Sequence, residues 1–131
     1  MFRSIKILEK EQKREMLNKA HEFFENSLDF TRGPIELNEM IKNREEMNII
    51  DVRKPEEFAK GHIPGAINLP RDKWPSFKGL SKDRPNVVYC YTEVCQLSTE
   101  AARYFVEHDF PAILLRGGID QWKTSGLPIE S

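Results

Sequence analysis

The sequence has few cysteines, no long apolar run and almost no net charge, and each shortage argues against a class of protein. Two cysteines in 131 residues are too few for the disulfide framework of a small secreted domain. No apolar stretch approaches the roughly 18 residues of a membrane-spanning helix. A net charge of -1 gives no reason to expect nucleic acid or an acidic membrane as a partner. The first ten residues lack the apolar core of an export signal, so we expect a cytoplasmic protein with reduced thiols.

The residues that are present indicate a globular protein with an added helix at its amino terminus. Hydrophobic residues make up 39% and charged residues 31% of the chain, which is typical of a folded domain. Residues 8–28 contain no glycine or proline and many good helix formers. We therefore predict an N-terminal helical extension over residues 1–30 and a single domain over residues 31–131.

The predicted N-terminal helix carries an apolar stripe at helical spacing, formed by Met16, Ala20, Phe23, Phe24 and Leu28. One interpretation is that this stripe packs on the domain of the same chain. The alternative is that Phe23 and Phe24 pack on a second subunit and form a homo-oligomer. The sequence does not separate the two.

From residue 34 onward, short apolar segments alternate with helical patterns. We predict strands at residues 47–52, 66–69, 87–90 and 112–115, and helices at residues 35–41, 55–60, 99–108 and 119–123. Residues 71–85 are predicted to be a polar, turn-rich connection. This alternation predicts an α/β fold with a mainly parallel central sheet and helices on both faces. Such sheets carry their functional sites at the carboxyl ends of the strands.

Cys90 is the most informative single residue. It ends the apolar run Val87-Val88-Tyr89 and precedes a polar turn that leads into a predicted helix. Backbone N–H groups converge at such a strand-to-helix turn, and the helix dipole favours an anion there. The position is therefore suited to a thiolate or a persulfide.

Three ordered segments resemble the rhodanese-like domains. Residues 50–70, with Asp-Val-Arg at the strand end and Gly-His-Ile-Pro-Gly-Ala after the helix, resemble the first signature of that family. Residues 115–128, with Arg-Gly-Gly-Ile-Asp-Gln-Trp, resemble its closing signature. Cys90 falls where the family places its catalytic cysteine. The resemblance covers roughly residues 34–128 and leaves out the N-terminal helix.

This resemblance implies a sulfurtransferase. Cys90 would be the nucleophile that takes a sulfane sulfur from a small donor such as thiosulfate and passes it to a thiol or protein acceptor. The resemblance implies no metal and no organic cofactor. The implied substrate-binding cradle is the loop after the cysteine, which consists of Tyr91, Thr92, Glu93, Val94, Cys95 and Gln96. Tyr91 is the side chain that we expect to line the pocket.

The loop departs from the usual rhodanese pattern in its charge. It contains Glu93 and no arginine or lysine, whereas the family often has arginine there. An acid facing inward would raise the pKa of a thiolate, and the missing arginine would weaken attraction for a dianion. We therefore predict weak thiosulfate:cyanide activity. Arg53 and Arg116 are weak anion-binding candidates, and for Arg53 a structural ion pair with Asp51 is the favoured interpretation.

Cys95 has three interpretations. It is a resolving thiol that attacks a sulfur species on Cys90, or the sulfur carrier itself, or a small buried hydrophobic residue at the helix start. Cys90, Cys95 and a histidine have the wrong spacing for ordinary zinc motifs. The histidine of the first signature, His62, is expected to be structural rather than a general base.

Two other function classes remain in view. One is a non-catalytic rhodanese-fold module that binds a partner or acts as a thiol redox regulator, which the absence of loop arginines favours. The other is a cysteine-based phosphatase or arsenate reductase with a Cys-x5-Arg loop. Gln96 stands where that loop needs its arginine, which argues against the second class.

Overall fold

A computed structural model describes residues 9–131, which divide into one unit ending at Phe30 and a second unit over Thr31–Ser131. The first unit contains α1 (Lys10–Asp29), whose start is stabilised by a reciprocal capping box between Glu9 and Gln12. Its exposed large apolar residues are Leu17, Phe23, Phe24 and Leu28. Packing of Phe23 and Phe24 on a second subunit stays a prediction. Leu8 and most of the segment considered as an export signal lie outside the described residues.

The second unit is built on a five-stranded, fully parallel sheet in the order β1-β5-β4-β2-β3. The strands are β1 (Thr31–Arg32), β2 (Asn48–Asp51), β3 (Ile67–Asn68), β4 (Asn86–Tyr89) and β5 (Ala112–Leu115). The α-helices are α2 (Pro34–Lys42), α3 (Pro55–Lys60), α4 (Leu97–Glu107) and α5 (Gly118–Thr124), and a 3-10 helix spans Arg71–Ser76. The predicted α/β architecture is therefore confirmed.

Each face of the sheet carries its own core because successive strand residues point to opposite sides. On β4, Val87 belongs to a cluster with Leu37 of α2 and Trp122 of α5, whereas Val88 belongs to a cluster with Phe105 of α4. All five of these side chains are fully buried. Helices consequently cover both faces, as the continuous apolar runs of the strands predict.

The structure differs from the sequence expectations at three places. A fifth strand, β1, pairs with β5 at the sheet edge, where a two-residue segment has no detectable periodicity. The connection predicted as turn-rich contains the 3-10 helix, in which the Trp74 indole donates to the Leu69 carbonyl at 3.0 Å. Helix α4 begins at Leu97 rather than at residue 99.

Within residues 9–131, no helix combines the length and the apolar character needed to span a bilayer. In the same residues, no group of three or more His, Cys, Asp or Glu side chains is arranged to hold a metal ion. His62 has a structural environment, as expected. Its Nδ1 lies 2.8 Å from the Phe58 carbonyl, and its ring stacks on the Phe58 ring at 3.7 Å between centroids.

Candidate active site

The candidate site lies where the direction of strand connection reverses. The connection after β2 leads outward to β3 on one side, whereas the connection after β4 leads to β5 on the other side. The two connections therefore diverge and leave a crevice at the carboxyl ends of β2 and β4, where open parallel sheets bind their ligands. Arg53 follows β2 and Cys90 follows β4, so these two residues flank the crevice.

The Cys90 thiol is held inside the crevice by the start of α4. The residue is 1% exposed, and its Sγ lies 3.3 Å from Ser98 Oγ and 3.6 Å from the Cys95 carbonyl oxygen. Burial raises the pKa of Cys90, and interaction with the Cys95 side chain raises it further, while Ser98 opposes both. These effects together favour the Cys90 thiol over its thiolate.

Cys95 lies at the other end of the loop in a different environment. It is half-buried, and its amide donates to the Thr92 carbonyl at 3.2 Å, which closes a tight turn. Burial raises the pKa of Cys95, but interaction with the Cys90 side chain and with the backbone of Leu97, Tyr91 and Thr92 outweighs it. The net pKa is lowered. The anion-stabilising backbone of this loop therefore acts on Cys95.

Helix α5 shapes the loop from behind through its first turn. The Ile119 amide donates to the Cys90 carbonyl at 3.0 Å, and the Asp120 amide donates to the Tyr91 carbonyl at 2.9 Å. Gly118 makes this approach possible, because a Cβ on it would stand 2.7 Å from the Cys90 carbonyl oxygen. Its φ of +60° also favours glycine. The glycine pair of the closing signature thus fixes the peptide planes that begin the active loop.

The middle of the loop is open to solvent. Thr92, Glu93, Val94 and Gln96 are exposed, and Val94 is 85% exposed. The Glu93 carboxylate lies on the side of the loop that faces α5, where its Oε2 is 3.6 Å from the position that a Cβ on Gly117 would occupy. The acid in this loop is thus placed beside the first turn of α5.

The Arg53 guanidinium interacts mainly with other groups of the protein. Its guanidinium donates to both carboxylate oxygens of Asp51, at 2.8 Å from Nη2 to Oδ2, and to the Gly61 carbonyl at 2.7 Å. Both residues of the pair are buried, which confirms the structural ion pair. The Tyr91 ring lies over this guanidinium at 5.9 Å, and the Tyr91 hydroxyl accepts from the Lys54 amide at 3.4 Å.

The other cation considered from the sequence, Arg116, is exposed just beyond the carboxyl end of β5, where its amide donates to the Arg32 carbonyl. A further arginine, Arg71, forms an ion pair with Glu100 in the first turn of α4 and lies over the Trp74 ring at 5.1 Å. Sequence reasoning missed Arg71 because it lies in the segment predicted to be an irregular connection.

Ser98 was also missed as a site residue. Its hydroxyl oxygen lies 3.3 Å from Cys90 Sγ, in the second residue of α4. The available signal was helical spacing, because Ser98, Ala101 and Phe105 form the buried face of α4.

The comparisons with known proteins agree with this geometry. The family model described as Rhodanese-like domain matches residues 34–125. A protein named Sulfurtransferase from Allochromatium vinosum is 36% identical over 95 residues, which cover 71% of this chain and 87% of that protein. Thiosulfate sulfurtransferase GlpE from Stutzerimonas stutzeri is 35% identical over 97 residues, covering 72% of this chain and 86% of that protein.

The same domain also matches part of a longer protein. The HTH-type transcriptional regulator Rv0324 from Mycobacterium tuberculosis is 35% identical over 95 residues, and the chain spans only 42% of its length. Among solved structures, the BH2092 protein from Bacillus halodurans superposes with a TM-score of 0.80 at 31% identity, covering 87% of this chain and 85% of that one.

Proposed function

Since the chain belongs to the rhodanese-like domain family, we propose that it is a sulfurtransferase that carries sulfane sulfur as a persulfide on Cys90. The observation that supports this best is the position of Cys90 at the reversal point of the sheet, beside the start of α4. Relatives at about 35% identity are named as sulfurtransferases. The variant loop, with Tyr91 after the first cysteine and Cys95 near its end, belongs to this proposal.

The proposed first half-reaction loads the sulfur. The Cys90 thiol first loses its proton to water, because the thiolate is the reactive form. The Cys90 thiolate then attacks the outer sulfur of the donor, the donor's bond to that sulfur breaks, and its remainder leaves with the electron pair. With thiosulfate, the leaving group is sulfite. Cys90 then holds the transferred sulfur as an anionic persulfide.

The second half-reaction unloads the sulfur. A thiol or protein acceptor attacks the outer sulfur of the persulfide, and Cys90 leaves as a thiolate. The exposed residues 92–94 border the route of approach, so an acceptor can reach the loop from solvent. Backbone N–H groups of the loop supply the electrostatic stabilisation for charge that develops during either transfer.

The charge of the site favours a donor other than thiosulfate. Arg53 donates to Asp51 and Gly61, and the loop itself contains one acid and no basic residue. A dianion therefore gains little attraction here, whereas the reacting group of an organic persulfide carries a single negative charge. We propose a low-molecular-weight persulfide as the preferred donor class.

Intact mass spectrometry after exposure to thiosulfate, mercaptopyruvate or glutathione persulfide tests this function. We expect the wild-type protein to gain one sulfur atom, most readily from the persulfide, and Cys90→Ser to gain none. Persulfide that survives in Cys90→Ser would overturn the assignment of Cys90. A thiosulfate:cyanide turnover matching that of an arginine-bearing rhodanese would overturn the donor preference.

The second candidate is a non-catalytic binding or thiol redox module on the same fold. The raised pKa of Cys90, which follows first from its burial, favours this candidate because it lowers the fraction of reactive thiolate. No gain of sulfur from any of the three donors would support it over the transferase.

A further inference from the structure

Two free thiols share the candidate site, and the proposed transfer needs only one as its sulfur carrier. The turn from Thr92 to Cys95 folds the loop back, so that the Cys95 carbonyl comes within 3.6 Å of Cys90 Sγ. Cys95 also packs against the core cluster that contains Cys90. The side chain of each cysteine influences the titration of the other, which places the two thiols in one electrostatic environment.

We propose that Cys95 is a resolving thiol that attacks the inner sulfur of the Cys90 persulfide, forms a Cys90–Cys95 disulfide and expels the outer sulfur as hydrosulfide. This inference rests on the proposed function, because it requires Cys90 to carry the persulfide. The new bond joins the two Sγ atoms, the bond between Cys90 Sγ and the outer sulfur breaks, and the proton that the Cys95 thiol gives up goes to the departing sulfur. The outer sulfur is reduced by two electrons to sulfide, and the two cysteines are oxidised to the disulfide.

Cys95 has the properties that an attacking thiol needs. It is half-buried rather than enclosed, so its sulfur retains access to the crevice. Burial raises its pKa, but interaction with Cys90 and with the loop backbone reverses that effect and favours the thiolate. The thiolate is the attacking species in thiol–disulfide exchange, and exchange between neighbours in one loop needs no second molecule.

The exposed middle of the loop gives the two sulfurs room to join. The residues between them that must adjust are the exposed Thr92, Glu93 and Val94. Cys90 itself is anchored at the end of β4 by the hydrogen bond from α5 to its carbonyl. Closure is therefore a movement of the Cys95 end of the loop toward a fixed Cys90. A disulfide requires the two Cα atoms to lie within about 7 Å of each other, which sets the extent of that movement.

Resolution competes with transfer to an acceptor and gives the protein a second outcome. When an acceptor arrives first, the sulfur is handed on and both cysteines stay reduced. When none arrives, sulfide is released and the site closes as a disulfide. A dithiol or a low-molecular-weight thiol such as glutathione must then reduce the disulfide before another sulfur can be loaded.

A single-turnover experiment with glutathione persulfide tests the inference. Fully reduced protein is loaded under anaerobic conditions, excess reagent is removed, and intact mass and free sulfide are followed with time. For the wild type we expect the added sulfur to disappear, sulfide to appear in equal amount, and the protein to end two hydrogens lighter with Cys90 and Cys95 in one linked peptide. For Cys95→Ser we expect the persulfide to persist, with sulfide release slower by about tenfold or more.

Cys95→Ala serves as the matched second variant, because it removes the thiol without adding a hydroxyl group. Agreement between Cys95→Ser and Cys95→Ala supports the resolving role. A wild-type persulfide that lasts as long as that of both variants would overturn the resolving role and leave the transferase function standing. If neither the wild type nor the Cys95 variants gain sulfur, the transferase function fails and the resolving role fails with it.

Discussion

Two connections leave neighbouring strands at the same edge of the sheet, and they differ in what they do with their polar groups. Residues 52–54 follow β2, where Val52 and Arg53 are buried and Arg53 is bound through both its side chain and its amide to Asp51. Residues 90–96 follow β4, where only Cys90 is buried. In the first connection the buried charge of Arg53 is paired with Asp51, whereas the middle of the second connection is open to solvent.

This difference bears on which groups could stabilise an anion at the carboxyl edge of the sheet. A positive side chain is present beside the crevice, but its charge is balanced by the buried carboxylate of Asp51. The active loop contributes no basic side chain of its own. In the proposed transfer, stabilisation of a sulfur anion therefore rests on backbone N–H groups, whose orientation depends on how the loop is held by α4 and α5.

The largest expected effect comes from breaking the buried ion pair with Asp51→Asn. The substitution preserves shape but leaves the Arg53 charge buried without its partner. We expect the free energy of unfolding to fall by about 3–5 kcal/mol, measured by urea denaturation.

Glu57→Gln is the matched control, because it removes a carboxylate from the surface pair with Lys60 on α3, the helix that follows the same connection. We expect that control to change the free energy of unfolding by less than about 1 kcal/mol. Equal effects of the two substitutions would show that the connection after β2 does not depend on its internal charge pair.

We expect an intermediate effect from Gly118→Ala, which disturbs the connection after β4 and leaves the connection after β2 unchanged. The added Cβ meets the Cys90 carbonyl, and the positive φ adds a backbone cost. We expect a loss of stability of about 1–3 kcal/mol together with a clear fall in the rate of sulfur loading on Cys90.

Gly126→Ala separates the two causes of that loss. Gly126 has a φ of +71° but no atom within 4 Å of its added Cβ. The Gly126→Ala variant should lose only the stability that the strained backbone costs, about 1–2 kcal/mol. Its rate of sulfur loading should equal that of the wild type. Loading that is equally slow in both variants would disconnect the Gly118 contact from the site.

The smallest effect concerns the pH dependence of loading and uses Ser98→Ala. Ser98 lowers the pKa of Cys90 against the larger effect of burial, so removing its hydroxyl raises that pKa further. Since the thiolate is the reactive form, the rise in loading rate with pH should move to higher pH.

The exposed neighbour Thr99 supplies the control for Ser98. Thr99→Ala should leave the pH profile of loading where it is in the wild type, because this side chain faces solvent. An unshifted profile in Ser98→Ala would mean that the hydroxyl has no influence on the Cys90 thiol.

Much of the fold followed from local patterns. The apolar runs that end at Asp51, Tyr89 and Leu115 became buried strands because only a sheet covered on both faces accommodates them. Strand β1 was not predicted because a segment of two residues shows no hydrophobic periodicity. Its pairing with β5 depends on a partner far away in the chain. Helix α4 begins two residues before the predicted start, with Gln96 as its N-cap.

Hydrophobic periodicity and strand-to-helix turns are local properties of the sequence. They were sufficient to predict a parallel α/β sheet with a cysteine at the carboxyl end of one of its strands. The hydrogen bonds and ion pairs of the groups around that cysteine depend on the tertiary structure. The first turn of α5 reaches the Cys90 and Tyr91 carbonyls, and Asp51 takes the nearby arginine. Burial raises the pKa of Cys90, whereas for Cys95 the interactions with the Cys90 side chain and the loop backbone outweigh burial and lower the pKa. These outcomes depend on the orientation of peptide planes and on burial, which arise when distant segments pack together.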